Sequence, residues 1–383
     1  MLAVAAVVLA VAGARFASAP ADATAEQLAA SAERSCSGVR IGLLAPLSGP
    51  AATVGQAQAT WARFATRRHN RANPRLAFKL IERDTAYDAA QAKVRAEQLA
   101  ADPRVLAVVG PAGSQEVSAV APALRGQLAF ISGSARASEL TVGPRRIRNF
   151  FRVVASEPAQ GPLIAGFIVR DLNAERVWVV DDGSEYSAAL ATAGKRQLEA
   201  GGATVARASL DPQQADFGPV LARMPANTEV VYLPWSLAAR ARAFYQQLRA
   251  RGKTATVVGS DRLDSADWLA GAEGQYYSSF APDIQASHDK RTLAVLSAYV
   301  NEFGPPSSNY GPPVFVAMQV AQAALRTACQ DGRASREEVQ KQVRNVRLAS
   351  SILDYPIRFR GGDTINAHYW IFRVSGGAGM LVR

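Results

Sequence analysis

Apolar and polar positions along the chain follow two periods that take turns. Val39-Arg40-Ile41-Gly42-Leu43-Leu44 is a short β-rich run that stops at Pro46, Gly49 and Pro50. Helical spacing follows from about Gln56 to Asn70, then a partly alternating run from Leu76 to Ile81, then helical spacing again from Ala89 to Ala101. Val105 to Gly110 is apolar throughout, the pattern of a strand covered on both faces of a parallel sheet. A helix from about Gln115 and a strand at Leu128 to Ser132 complete this array. The pattern then restarts. It predicts strands at 176–180, 203–208, 229–233 and 256–258, with helices at 186–200, 217–224 and up to Leu248 between them. Strands alternating with helices imply parallel sheets joined by right-handed crossovers. Two such arrays imply an α/β protein of two lobes of similar fold. In such folds small ligands bind in the cleft at the carboxyl ends of the strands.

The length fits that division, because 383 residues exceed one compact domain of roughly 100–200. With 49% hydrophobic and 20% charged residues, disorder is excluded as the main state. The net charge of +11 raises the question of a nucleic-acid partner. Only six of the 43 basic residues are Lys, however, and the clusters Arg67-Arg68, Arg145-Arg146-Ile147-Arg148 and Arg358-Phe359-Arg360 are short. None pairs a basic stripe with stacking aromatics, so no nucleic-acid partner is expected.

Leu2 to Gly13 is an uncharged apolar run followed by Ala17-Ser18-Ala19, the pattern of a signal peptide over residues 1–19. No basic residue precedes the run and Pro20 follows the cut, so cleavage after Ala21, or a start upstream, is the alternative; a buried helix is the other reading. Residues 20–37 read as a polar, Ala-rich tether. The two cysteines, Cys36 and Cys329, have no metal-site spacing. In an exported chain they are expected to pair, closing a long loop for about 4–5 kcal/mol in the chain-entropy model; two free buried thiols are the alternative.

Specific residues resemble a known family. Ile41-Gly42-Leu43-Leu44-Ala45-Pro46-Leu47-Ser48-Gly49-Pro50, with Ala52 and Gly55, resembles the opening of periplasmic branched-chain amino-acid binding proteins, the type I solute-binding components of ABC importers. Asp84 and Asp88, Val109-Gly110-Pro111 with Ser114, and Ser138-Glu139-Leu140-Thr141 match in order. So do Phe151-Arg152-Val153, Gln160-Gly161, Tyr186 after Asp181-Asp182-Gly183, Val258-Gly259-Ser260-Asp261 and the helix Phe315 to Leu325. The resemblance spans about residues 38–374. It implies two Rossmann-like lobes hinged by three crossovers, near Phe151–Pro158, Gln275–Pro282 and Ile352–Arg358. The first lobe is then 38–152 plus 282–354, and the second 153–281 plus 355–383. It further implies an extracytoplasmic protein, bending at the hinge to capture an amino acid or related carboxylate for a membrane permease.

Residues at the expected cleft carry their own chemistry. The strand ending at Gly110, followed by Pro111-Ala112-Gly113-Ser114 and a helix, directs free backbone N–H groups toward a carboxylate. Ser114 adds a hydroxyl, or caps the helix. The loop Ser132-Gly133-Ser134-Ala135-Arg136 forms a second wall, where the family uses small or hydroxyl side chains. Arg136 departs from that pattern. It either clamps a second carboxylate bidentately, points to solvent, or pairs with Glu139. Asp261 matches the acid that holds a ligand ammonium in the family; pairing with Arg262 or helix capping are the alternatives. Tyr186 reads as an aromatic wall or as packing, and Trp235 with Ser236 as a strand end facing the cleft. Val54 replaces a frequent aromatic. These departures leave an amino acid, an aromatic or dicarboxylic acid, or an amide as the ligand.

Catalytic chemistry is not expected. His69, His288 and His368 stand in unrelated contexts, and no phosphate loop, dinucleotide fingerprint or nucleophile elbow occurs. No cofactor or metal is expected. The second reading is a ligand-sensing receptor or regulator of the same fold, responsive to amides or aromatic acids.

Overall fold

A computed structural model of the chain describes residues 34–382. The expected signal peptide and residues 20–33 of the expected tether lie outside the described residues. In the first sheet β1 (Arg40–Ala45), β2 (Lys79–Asp84), β3 (Val105–Val109), β4 (Ala129–Ser132) and β5 (Phe150–Arg152) run parallel. Helices α1 (Ala52–Ala72), α2 (Ala89–Ala101) and α3 (Ser114–Leu124) connect them. All positions of β3 are buried, as its unbroken apolar run requires. The strand expected at Leu76 to Ile81 begins later, because Pro74–Leu76 closes a 3-10 turn and Pro74 has no N–H to give a ladder.

The second sheet repeats the plan with β6 (Arg176–Asp181), β7 (Thr204–Ser209), β8 (Val230–Leu233), β9 (Thr256–Gly259) and β10 (Tyr276–Ser279), all parallel. Helices α4 (Gln160–Gly166), α5 (Glu185–Ala200) and α6 (Ala238–Ala250) belong to this half. The helix expected at 217–224 shrinks to Gly218–Leu221. Pro225 disfavours helical geometry at the residue before it, which cuts the segment short.

The chain returns to the first sheet through α7 (Lys290–Phe303), α8 (Gly311–Ala328) and α9 (Arg336–Asn345). Helix α8 packs on α1, β3 and β4, and α9 on β3 and β4. Trp61 of α1 stacks on Tyr299 of α7 at 3.9 Å and meets Phe315 of α8 edge-on at 5.7 Å, so one aromatic cluster joins the three helices. A disulfide links Cys36 to Cys329 beside a short antiparallel pairing of Arg34–Ser35 with Arg333–Ala334.

The last crossover differs from the expectation. Residues 355–383 were assigned to the second lobe, yet β11 (Ile357–Arg360) and β12 (Asp363–Thr364) form a hairpin over Gly361-Gly362, and β12 pairs with β5 in the first sheet. The reason is a buried charge. Arg152 is fully buried; its Nε donates to Asp363 Oδ1 at 2.6 Å, and its Nη2 to Thr141 Oγ1 at 2.5 Å. A guanidinium withdrawn from water needs that carboxylate, which keeps the hairpin on the first sheet. The chain therefore changes sheets between Thr364 and Trp370. Only β13 (Trp370–Ser375) and β14 (Ala378–Leu381) join the second sheet, antiparallel beside β10.

The strand orders are β11-β12-β5-β4-β3-β1-β2, with Arg347–Leu348 outside β11, and β14-β13-β10-β9-β8-β6-β7. Each order reverses once, between β1 and β3 and between β6 and β8. Loops leaving the carboxyl ends at such a reversal open a crevice, and that is where ligands of open α/β sheets bind.

Candidate ligand-binding cleft

Loops from both sheets converge on a cavity of about 400 Å³. Ala112, Gly113 and Ser114 follow β3; Ser134 and Arg136 follow β4; Ser236 follows β8; Arg262, Asp264 and Ser265 follow β9. The β3 loop can reach the cavity only because Gly110 has φ +93° and no side chain: a Cβ there would lie 2.0 Å from the Leu44 carbonyl oxygen.

Arg136 lines the cavity, and its Nη2 donates to Asp261 Oδ2 behind the cavity wall. The two side chains are 6% and 0% exposed, so this is a buried ion pair between loops of opposite sheets. Asp261 Oδ1 accepts from Tyr186 Oη at 3.0 Å and from Gln160 Nε2 at 2.7 Å. Gln160 also donates to Ser278 Oγ at 2.8 Å. Burial works against the Arg136 charge, but Asp261 and the surrounding tyrosines reverse the effect and hold its pKa well above the ordinary value. Burial and the nearby Asp261 charge push the Tyr186 phenol up, which keeps it a donor. The Arg136 guanidinium lies over the Phe280 ring at 4.4 Å. Two buried polar atoms of this cluster have no partner, Arg136 Nε and Gln160 Oε1.

The family model for periplasmic binding proteins matches residues 38–378. The chain belongs to the periplasmic binding protein family. Among its relatives, the Leu/Ile/Val-binding protein BraC3 of Rhizobium johnstonii is 27% identical over 76% of this chain and 79% of its own length. The Leu/Ile/Val-binding protein homolog 3 of Brucella melitensis is 24% identical over 88% and 91%. The fold matches the leucine binding protein LivK of Thermotoga maritima at a TM-score of 0.75, with 21% identity, covering 90% of this chain and 98% of that one. It also matches an R. palustris solute binding protein in complex with benzoate at 0.72, with 17% identity, covering 90% and 95%. The two-lobed α/β architecture is therefore that of type I periplasmic binding proteins, and the family and its neighbours are solute-binding proteins rather than enzymes.

In this periplasmic binding protein several residues named from sequence take unexpected partners. Gly113 does not offer a free amide: its N–H donates to Glu116 Oε2 at 2.7 Å, so the protein's own carboxylate fills that slot at the start of α3. Burial raises the Glu116 carboxyl, opposed by its hydrogen bonds from Thr85 and Gly113. Ser114 Oγ instead ties the two cleft loops together, accepting the N–H groups of Arg136 at 3.2 Å and Ala137 at 3.1 Å. Ser134 Oγ donates to the Ala112 carbonyl at 2.9 Å. Ala135 packs into the core beneath the loop and does not line the cavity.

Trp235 departs furthest. It is fully buried against Phe217 and Phe244, with Nε1 donating to the Val180 carbonyl at 2.6 Å. An indole that size is better sheltered in the core of the second lobe than at a wet cleft. Its neighbour Ser236 does line the cavity, and its Oγ donates to Asp182 Oδ2 at 2.7 Å. Arg136 neither points to solvent nor pairs with Glu139, and Asp261 pairs with Arg136 rather than Arg262.

Four residues of the cleft went unnamed as contacts in the sequence. Gln160 was visible only as part of a crossover match. Arg262 stacks over Tyr186 at 4.1 Å and lines the cavity with no carboxylate at ion-pair distance among the described residues. Glu157 and Asp264 also line it. Burial raises both carboxyls, Asp264 to about 6. Among the described residues no cluster of three or more His, Cys, Asp or Glu is placed to hold a metal ion, and no helix is long and apolar enough to cross a membrane.

Proposed function

We propose that this protein is an extracytoplasmic solute-binding component of an ABC transporter. It captures a small solute of the amino-acid-related carboxylate class between its lobes and delivers it to the membrane permease. One observation carries the reading: loops at the carboxyl ends of both sheets meet around a single cavity, and polar side chains from both face each other across it. A ligand seated there contacts both lobes and favours the closed arrangement, so capture is a shift of population toward closure that a permease can read. Membership in the periplasmic binding protein family and the extracytoplasmic address that the family implies support this.

A thermal-shift screen against amino acids, aromatic and dicarboxylic acids and amides, with nucleotides as controls, tests it. A ligand at 100 times its Kd stabilises the folded protein by about 2.7 kcal/mol. A shift confined to one acid or amide class supports the reading. A cooperative melt that no compound moves speaks against it.

A further inference from the structure

The ion pair in the cleft decides what kind of solute fits. An α-amino acid brings an ammonium group that needs a carboxylate with free lone pairs. In this chain Asp261 has none facing the cavity: Arg136 takes one oxygen, Tyr186 and Gln160 share the other, and the side chain is fully buried. The guanidinium of Arg136 already supplies the cation that Asp261 needs, and a second positive charge beside it is repelled.

The same residue presents an unmet demand. Arg136 lines the cavity, and its buried Nε–H has no acceptor. A buried donor without a partner costs free energy until an acceptor reaches it. Ser114, whose oxygen accepts two backbone N–H groups, makes no donation of its own to a described residue, and it faces the same cavity. Arg262 contributes a further guanidinium with no carboxylate at ion-pair distance among the described residues. These groups ask for an sp² oxygen. Glu157 and Asp264 are the acids that line the cavity. Burial raises both carboxyls, and Asp264 Oδ2 already accepts from Ser279 Oγ and Asn309 Nδ2.

We propose that the cleft takes a small acyl compound, a carboxylate or its amide, that carries no α-ammonium group. Its acyl oxygen accepts from the Ser114 hydroxyl beside the Arg136 guanidinium, and Arg136 is the residue that excludes amino acids. This rests on the solute-capture reading above and narrows it.

The test uses matched compounds and isothermal titration of the full protein. Leucine, 4-methylpentanoate, 4-methylpentanamide and 3-methylbutylamine share one skeleton; phenylalanine, 3-phenylpropanoate, 3-phenylpropanamide and phenethylamine share another. The acid or amide of at least one skeleton is expected to bind at least about 100-fold more tightly than its amino acid. Comparing acid with amide tells the two acyl sources apart. In Arg136→Ser, whose folding is checked by its melt, Asp261 is released. The amino acid should then gain at least about tenfold and the acyl compound should lose affinity. An amino acid or amine binding wild-type protein as tightly as its acyl counterpart overturns the proposal and leaves solute capture standing. So does binding of an amino acid by Arg136→Ser when wild-type protein binds nothing. Silence from both proteins overturns the proposal and the solute-capture reading together.

Discussion

Arg136 and Asp261 lie 125 residues apart in sequence and meet as a buried ion pair, one from the loop after β4 and the other from the loop after β9. The pair fastens the two sheets' cleft loops to each other. Breaking one side of it strands a charge away from water. Asp261→Leu or Arg136→Met alone should therefore destabilise the protein by about 3–5 kcal/mol, whereas the two together should cost far less. Urea unfolding of the two single variants and the double variant measures the difference. Strictly additive losses would show that the pair is not coupled.

The disulfide closes a loop with a sequence separation of 293 residues. Replacing Cys36 by Ser, or reducing the protein, is expected to lower stability by about 2–5 kcal/mol. The melting temperature with and without reductant reads this directly, and mass spectrometry of the alkylated, unreduced protein should find no labelled thiol.

Asp264 gives the stability a pH dependence. Burial lifts its carboxyl to about 6, opposed by hydrogen bonds from Ser279 and Asn309. An aspartate in the unfolded chain titrates near ~3.9. Between those values the folded protein keeps a proton that the unfolded chain has lost, so this group's contribution falls as pH rises across the window. Asp264→Asn removes that slope. Relative to wild type, the variant's melting temperature should be lowest at pH 4 and rise toward pH 7; a constant offset would count against the assignment.

Gly110 tolerates no side chain. With φ +93° and the Leu44 carbonyl oxygen 2.0 Å from where a Cβ would stand, Gly110→Ala must move the β3 loop away from β1. The expected loss is more than about 1 kcal/mol, together with weaker binding of any solute whose affinity depends on Ser114. A variant with unchanged melt and unchanged titration would contradict the close approach.

Much of the fold was legible because it is written locally. The unbroken run at Val105 to Gly110 declared a doubly covered strand. What escaped was set at long range. Glu139 stood near Arg136 in sequence, but the partner that matters is on the other sheet. The start of α3 looked like an open anion site, although Glu116, three residues beyond Gly113, sits at the spacing of a capping carboxylate. Trp235 ends a strand near the cleft, and alternation alone does not say which face the indole takes. Arg152 gave no hint in its neighbourhood that Asp363 would hold the final hairpin on the first sheet.

The late return of the chain has a consequence for how the molecule comes into being. The first sheet waits for β12, near residue 363, and β10 of the second sheet has no partner on its outer edge until Trp370–Ser375 arrives. Synthesis runs from the N-terminus, so neither half can complete its hydrogen-bonded ladder while the chain is still being made. Pairings of such long separation form slowly. A polypeptide built this way holds both sheets open at one edge until residues 363–375 have emerged.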